Sequence, residues 1–475
     1  MPATPTDRPH ILLIISDDHG YGDLSSRGSA DARTPHLDRL AAEGMSFDSA
    51  YVTAPICSPS RAGLIAGAHQ QRWGGHWFSD SSFPPAPRPV LPELLGEGSY
   101  RTGYFGKVHY GFEQPGDRAC PERHGFDSSF YGMTSTSAGR LHYLHHSRAS
   151  RERLGDDFHA VHGVNPMFDG GREVDCEQHL TSAFADRAID FMGPAADGDA
   201  PEDPFFCMVA FNAVHNFAWQ LPEDELAARA LPSHDDFDPG TDEYIDWYDG
   251  AISPNLENGR AYYLAQLEIM DREIGRMLDH LEATGRRERT LVVYLTDNGG
   301  SACNYGDNTP LHGTKYSLFE GGVRVPLMLS WPGVIEPGTR SDALVSSLDL
   351  LPTFLTAAGL THLLPAQLDG APLQEVWDGT GGGHELLHFD TGFQWAVRDR
   401  EWKLRWVDEE DTTYRDRLLK NEHTDIGSGL TLVPIGSELD ESPQADVAAE
   451  HPEVVADLLE AHREWSARMR ESASA

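Results

Sequence analysis

Cys57 stands in the run Ile56-Cys57-Ser58-Pro59-Ser60-Arg61-Ala62-Gly63-Leu64. A small reactive side chain, with proline two places on and arginine four places on, opens an apolar stretch and so sits at a helix entrance one turn from a fixed cation. Free backbone N–H groups at such an entrance, together with the guanidinium, suit an anion. By itself the run also reads as a buried or first-turn thiol with an incidental arginine. The surrounding chain has to decide between the two.

Four apolar segments end in polar groups. Residues 10–15 form a continuous apolar run of the kind buried on both faces of a sheet, and the run stops at Asp17 and Asp18. Residues 290–296 form a second, ending in Asp297 and Asn298. Alone, Asp17 and Asp18 read as a helix cap and its solvated neighbour. Taken together, three carboxylates and one amide oxygen describe a site for a hard cation, Ca2+ ahead of Mg2+, and argue against zinc. The third segment, residues 100–105, leads to Lys107 and His109, two places apart and so on one side of an extended chain. The fourth, residues 205–211, leads to His215. Lys315 lies in a glycine-punctuated loop before the apolar strand 325–330, and reads either as a solvated charge or as a clamp for sulfate or phosphate.

Open α/β sheets keep their sites beyond the carboxyl ends of their strands. The alternation of apolar runs and amphipathic stretches predicts such a fold: a large, mostly parallel central sheet between helices. Leu264, Leu267, Ile274, Met277, Leu278 and Leu281 predict a packing helix feeding the 290–296 strand. The expected organisation is a catalytic domain over residues 1–383 and a smaller C-terminal α+β subdomain over 384–475. The subdomain has strands at 394–397 and 403–407, a partly ordered acidic connection over 408–446 whose edge borders the pocket, and a closing helix over 452–469 that starts at a proline.

The chain has 475 residues and a formal charge of −38, from 75 acidic and 37 basic groups. That balance excludes nucleic acid and anionic membrane as partners and disfavours long polyanions. Only Lys107, Lys315, Lys403 and Lys420 are lysine, so a lysine marks a position where a compact ammonium is preferred to a planar fork. Five well-separated cysteines imply no disulfide framework. The apolar stretch 11–15 is too short for a signal or a membrane span, so a soluble, cytoplasmic protein is expected. Nothing indicates an oligomeric state.

In this order, from about residue 9 to 405, the pieces resemble the type I, formylglycine-dependent sulfatases of the alkaline phosphatase superfamily, whose signature is C-x-P-S-R. Residues 34–44, residues 316–326, and Trp395 to Arg398 with Trp402, Lys403 and Leu404 look like that family's landmarks. The resemblance implies that a separate maturation enzyme oxidises Cys57 to formylglycine, whose hydrate is the nucleophile. It implies that Asp17, Asp18, Asp297 and Asn298 hold the cation and that Arg61 orients the hydrate. It further implies that Lys107, His215 and Lys315 grip sulfate oxygens or protonate the leaving group, while His109 takes a proton as sulfate is expelled. Two departures are Ala66-Gly67 where Thr-Gly is common, and no proline two places after His215.

The expected activity is sulfuric ester hydrolysis of a small sulfated substrate. A phosphonate monoester or phosphodiester hydrolase on the same fold is the nearest rival, and a non-catalytic binder of sulfated glycans is the rival from another class. Arg72, Trp73, His76 and Trp77 follow the signature, and Trp219 follows His215. Their types favour a sulfated mono- or oligosaccharide attacked in exo fashion, with Arg72 meeting a uronate; Trp73 and Trp77, four apart, also read as helix packing. His142, His145, His146, His159 and His162 read as a mobile, solvated insertion without zinc-site spacing.

Overall fold

The run at residues 10–15 forms β1 (His10–Ser16), and all seven of its residues are buried. Both of its neighbours are parallel to it, β9 (Thr290–Thr296) on one edge and β8 (Phe205–Ala210) on the other. The computed structural model describes residues 8–135, 139–154, 165–193, 203–234, 256–436 and 440–474.

Outward from β8 the sheet continues through β4 (Arg101–Val108), β5 (Ser128–Met133), β6 (Met167–Asp169) and β7 (Arg172–Val174). Outward from β9 it continues through β10 (Leu327–Ser330), β2 (Met45–Phe47) and β11 (Thr339–Ser341). The centre, from β9 to β5, is parallel throughout, and antiparallel pairs enter at β10 and β6. A short ribbon pairs β3 (Ala50–Tyr51) with β12 (Val345–Ser346).

Successive strand residues point to opposite faces. Ile11, Leu13 and Ile15 therefore join one hydrophobic core, while Leu12 and Ile14 join the other. The helix Gly259–Ala283 closes the second core with Leu267, Ile274, Met277, Leu278 and Leu281, all fully buried. Each such side chain contributes about 1.5–3 kcal/mol by leaving water.

β4 runs further than expected, because Gly106, Lys107 and Val108 still pair with β5. Lys107 thus projects from the last rungs of a ladder and not from a loop. The His-rich segment is also not the solvated insertion expected. His142 and His146 are buried; His142 Nδ1 meets Gln220 Nε2 at 2.7 Å, and His146 bonds the carbonyls of Asn165 and His142. His159 and His162 lie outside the described residues.

The C-terminal sheet is antiparallel throughout: β13 (Leu387–Asp390), β14 (Gln394–Arg398), β15 (Trp402–Val407) and β16 (Gly429–Pro434). β13 and β16 add to the two strands expected. The acidic connection contains a helix, Thr412–Asn421, as well as β16, and the closing helix runs Pro452–Ala473. Among the described residues no helix is long and apolar enough to cross a membrane.

Candidate active site

Register brings the polar strand ends together. Ser16 pairs with Thr296 and Ile15 with Ala210, so the segments leaving β1, β9 and β8 emerge side by side. The ladder extends one step, with Asp297 N–H donating to Ser16 O at 3.1 Å and Asp17 N–H to Ala213 O at 2.8 Å. Asp18 then turns at φ 58°, a left-handed conformation that aspartate tolerates better than most non-glycine residues.

The helix Cys57–Ala66 begins at Cys57, is buried along its whole length, and ends on Gly67 at φ 59°. Arg61, one turn in, shares the face of Cys57. The Cys57 thiol lies 3.5 Å from Asp17 Oδ1, and Lys315 Nζ lies 3.3 Å from the sulfur. Arg61 Nε donates to Asp297 Oδ2 at 2.8 Å, with Nη2 3.4 Å from Asp17 Oδ2. The Lys107 ammonium bonds the same Asp17 oxygen. Asp18 Oδ1 meets Lys315 Nζ and Asn298 Nδ2, each at 2.7 Å, and Asp18 Oδ2 lies 3.6 Å from His215 Nε2. One ligand atom each from Asp17, Asp18, Cys57 and His215 falls within a 4.8 Å circle of mutual distances.

Electrostatics separate the two adjacent carboxyls. Burial pushes Asp17 up, but Lys107, Arg61 and Lys315 outweigh it and hold Asp17 below the usual range. Burial raises Asp18 to about 7, with Asp17 and Asp297 adding to the rise against Lys315. Asp297 is raised chiefly by burial. Burial followed by Asp17 and Asp297 lifts the Cys57 thiol well above its ordinary value. Burial lowers Lys315, but Asp18, Cys57, Tyr316 and Asp17 together outweigh it and hold it well above its ordinary value. His109 and His215 are pushed well below the ordinary imidazole value, first by burial and then by the nearby lysines.

Two observations bear on a metal ion. Asn298 Oδ1 is buried and has no hydrogen-bond partner among the described residues. Arg61, Lys107 and Lys315 set three positive charges against Asp17, Asp18 and Asp297, so a divalent ion would leave the pocket positive, as an anionic ester requires. The oxygen-rich donor set suits a hard cation.

Every expected core residue is in or beside this cluster. His109 is buried with Nδ1 unpartnered. Gly139, at φ 87°, packs on it so closely that a Cβ there would sit 2.7 Å from His109 Cε1. Sequence reasoning missed Asn304, whose Nδ2 donates to Asp18 Oδ2 at 2.7 Å, and Glu422, which braces the neighbouring loops from the C-terminal part. Neither lies next to a legible motif.

The outer residues fare differently. Arg72 is not free for a uronate, because its guanidinium holds Asp369 in a two-pronged pair at 2.7 and 2.6 Å. Trp77 is enclosed by Phe78, Tyr316, Phe393 and Tyr414, so its ring offers no open face. Trp219 is likewise buried, against Phe217 and His234. Trp73 and Trp77 do not share a helix, since the single turn Gln70–Trp73 ends at Gly74. Trp73 packs partly exposed under Arg88, and His76 lies 3.4 Å from Asp390.

Fold and site together define the alkaline phosphatase-like class: a large mixed sheet flanked by helices, a smaller antiparallel sheet, and a polar cluster at the strand ends. The sulfatase family profile matches residues 9–360. Mouse arylsulfatase J is 28% identical, covering 96% of this chain and 75% of its own length. Dog N-acetylgalactosamine-6-sulfatase is 32% identical, covering 76% of this chain and 66% of its own. The crystal structure of Ps i-CgsB in complex with k-i-k-neocarrahexaose superposes with a TM-score of 0.76 at 26% identity, over 97% of this chain and 93% of that one. The chain belongs to the sulfatase family and is, by that membership, a sulfuric ester hydrolase.

Proposed function

We propose that the protein releases sulfate from a sulfated mono- or oligosaccharide in exo fashion, with Cys57 matured to formylglycine by a separate enzyme. The observation that carries this reading is the position of Cys57 Sγ, 3.5 Å from Asp17 and 3.3 Å from Lys315, at the entrance of a buried helix. Asp17, Asp18, Asp297 and Asn298 would hold a hard cation, Ca2+ in preference to Mg2+. Such an ion would offset negative charge on the reacting oxygens.

A formylglycine hydrate at residue 57 supplies a nucleophilic hydroxyl and a second hydroxyl through which sulfate is expelled and the aldehyde restored. Arg61 fixes the orientation of this group. Lys107 and Lys315 face the nonbridging oxygens, where charge builds up in the transition state. Lys315 or His215 delivers a proton to the departing alcohol oxygen, and His109, kept neutral by burial and the nearby cations, removes one from the second hydroxyl.

Three points support a saccharide. The relatives include an N-acetylgalactosamine-6-sulfatase, and Ps i-CgsB is seen with an oligosaccharide. Tyr316, partly exposed, adjoins Lys315, whose Nζ lies 5.2 Å from its ring centre. The strong net negative charge disfavours long polyanions.

The test measures sulfate released from defined sulfated sugars, short and polymeric, beside a matched aryl phosphonate. Release from short sugars, abolished by a chelator and restored by Ca2+, is expected. A clear preference for the phosphonate, or for intact polymer, contradicts the reading.

A further inference from the structure

Glu422 follows the helix Thr412–Asn421, beyond the end of the family match at residue 360. Its carboxylate is buried and accepts hydrogen bonds from neutral groups of two loops, Cys303 N–H at 3.5 Å among them. From the first loop, Ser301 Oγ donates at 2.8 Å and the Ala302 N–H at 2.7 Å. From the second, Thr314 Oγ1 donates at 3.0 Å.

Both loops lead to Asp18. The first turns through Ala302–Asn304, and Asn304 Nδ2 donates to Asp18 Oδ2 at 2.7 Å. The second places Lys315 directly after Thr314, with Nζ 2.7 Å from Asp18 Oδ1 and 3.3 Å from Cys57 Sγ. Gly300 O stitches them further, accepting from Thr314 Oγ1 at 2.9 Å and from the Lys315 N–H at 3.1 Å. One carboxylate thus ties together the loops that carry two of the side chains on Asp18, Lys315 on Oδ1 and Asn304 on Oδ2, beside Asn298 and His215.

We propose that Glu422 is a positioning residue, through which the C-terminal part of the chain sets the placement of Lys315 and Asn304 about Asp18. Among the described residues, the side-chain bonds of Glu422 go to Ser301, Ala302, Cys303 and Thr314, and not to residue 57 or the groups that would grip sulfate. The physical ground is the cost of losing its bonds. A buried carboxylate left without its donors is costly, and so are donors left without it, so these bonds must be kept. Removing the carboxylate therefore loosens both loops together. The kinetic consequence rests on the sulfate-releasing reading above; the loop placement does not.

The experiment compares wild type, Glu422→Ala and Glu422→Gln by hydrogen–deuterium exchange and by steady-state kinetics. In Glu422→Ala, exchange should rise in residues 299–304 and 312–316 and stay unchanged in β1 and β9. Its kcat should fall by about 10- to 100-fold, while KM stays within about threefold. Glu422→Gln keeps an acceptor oxygen and should fall between the two, which also covers a poorly folding alanine variant. Unchanged exchange in the two loops overturns the proposal, as does raised exchange with wild-type kcat. A wild-type protein inactive on every sulfate ester would sink the functional reading instead, leaving the exchange result to decide the positioning.

Discussion

Two buried charge clusters flank the segment from Lys315 to Glu320, and they are built to opposite rules. Around Glu320 the network is closed. Lys403 Nζ lies 2.9 Å from Oε1, while Arg398, Arg324 and the Tyr51 hydroxyl share Oε2. Lys403 also meets Glu441 at 3.0 Å, and Glu441 accepts the Glu320 N–H at 2.6 Å. Burial alone raises the Glu320 carboxyl, but Lys403, Arg398 and Arg324 pull it well below the usual range. None of Glu320, Lys403, Glu441, Arg398 and Tyr51 has a buried side-chain polar atom without a partner.

Around Cys57 the network is open. Asn298 Oδ1, both Arg61 Nη atoms and His109 Nδ1 are buried without a hydrogen-bond partner among the described residues. Single unpartnered buried atoms also occur elsewhere, as at Arg287 and Trp465, so what marks this place is their concentration beside Cys57, where a group that is not protein can meet them. Burial of charge alone does not make that distinction.

The largest expected effect tests the open cluster. Cys57→Ala should reduce sulfate release by on the order of 10^4-fold or more, with a melting temperature close to wild type. Next, Lys315→Ala should lower kcat by about 10^2- to 10^3-fold, with a smaller loss of stability than of kcat, because Asn298 and Asn304 still donate to Asp18. Lys403→Met should do the reverse. It leaves Glu320 and Glu441 buried beside each other without their shared cation, a loss of about 3–5 kcal/mol by urea unfolding, while kcat per folded molecule is retained. A stable but inactive Lys403 variant would erase the contrast between the clusters.

The smallest effect concerns the Arg72–Asp369 pair, a closed contact outside both. The pair, led by the Arg72 hydrogen bond acting against burial, holds Asp369 down to about 2. A lowered carboxyl contributes stability that is complete above the unfolded value, near 3.9, and is lost as pH falls through the folded one. Arg72→Ala should therefore lose about 2 kcal/mol near neutral pH. The deficit should shrink as pH drops from about 4 towards about 2, and activity on small esters should be unchanged. A raised KM with full stability would return Arg72 to the substrate pocket.

The strand ends were legible because a strand buried on both faces must be apolar throughout, and the polar residues after it stand out. His10–Ser16 before Asp17 and Thr290–Thr296 before Asp297 have that form. The scarcity of lysine was also informative: Lys107, Lys315 and Lys403 are all buried against carboxylates. Glu422 and Asn304 were not legible, because their roles come from contacts across long sequence separations with no local pattern. Trp77 and Arg72 misled because residue type does not reveal whether a ring face is covered or a guanidinium already paired. The histidines at 142 and 146 misled similarly, since their partners, Gln220 and backbone carbonyls, lie far away or carry no signature.

The most direct test is the mass of the tryptic peptide spanning residues 40–61, taken from a preparation that releases sulfate. The account predicts a species about 18 Da lighter than the cysteine form, the mass change of thiol to aldehyde, in proportion to activity. A fully active preparation whose peptide carries only the intact thiol would contradict it.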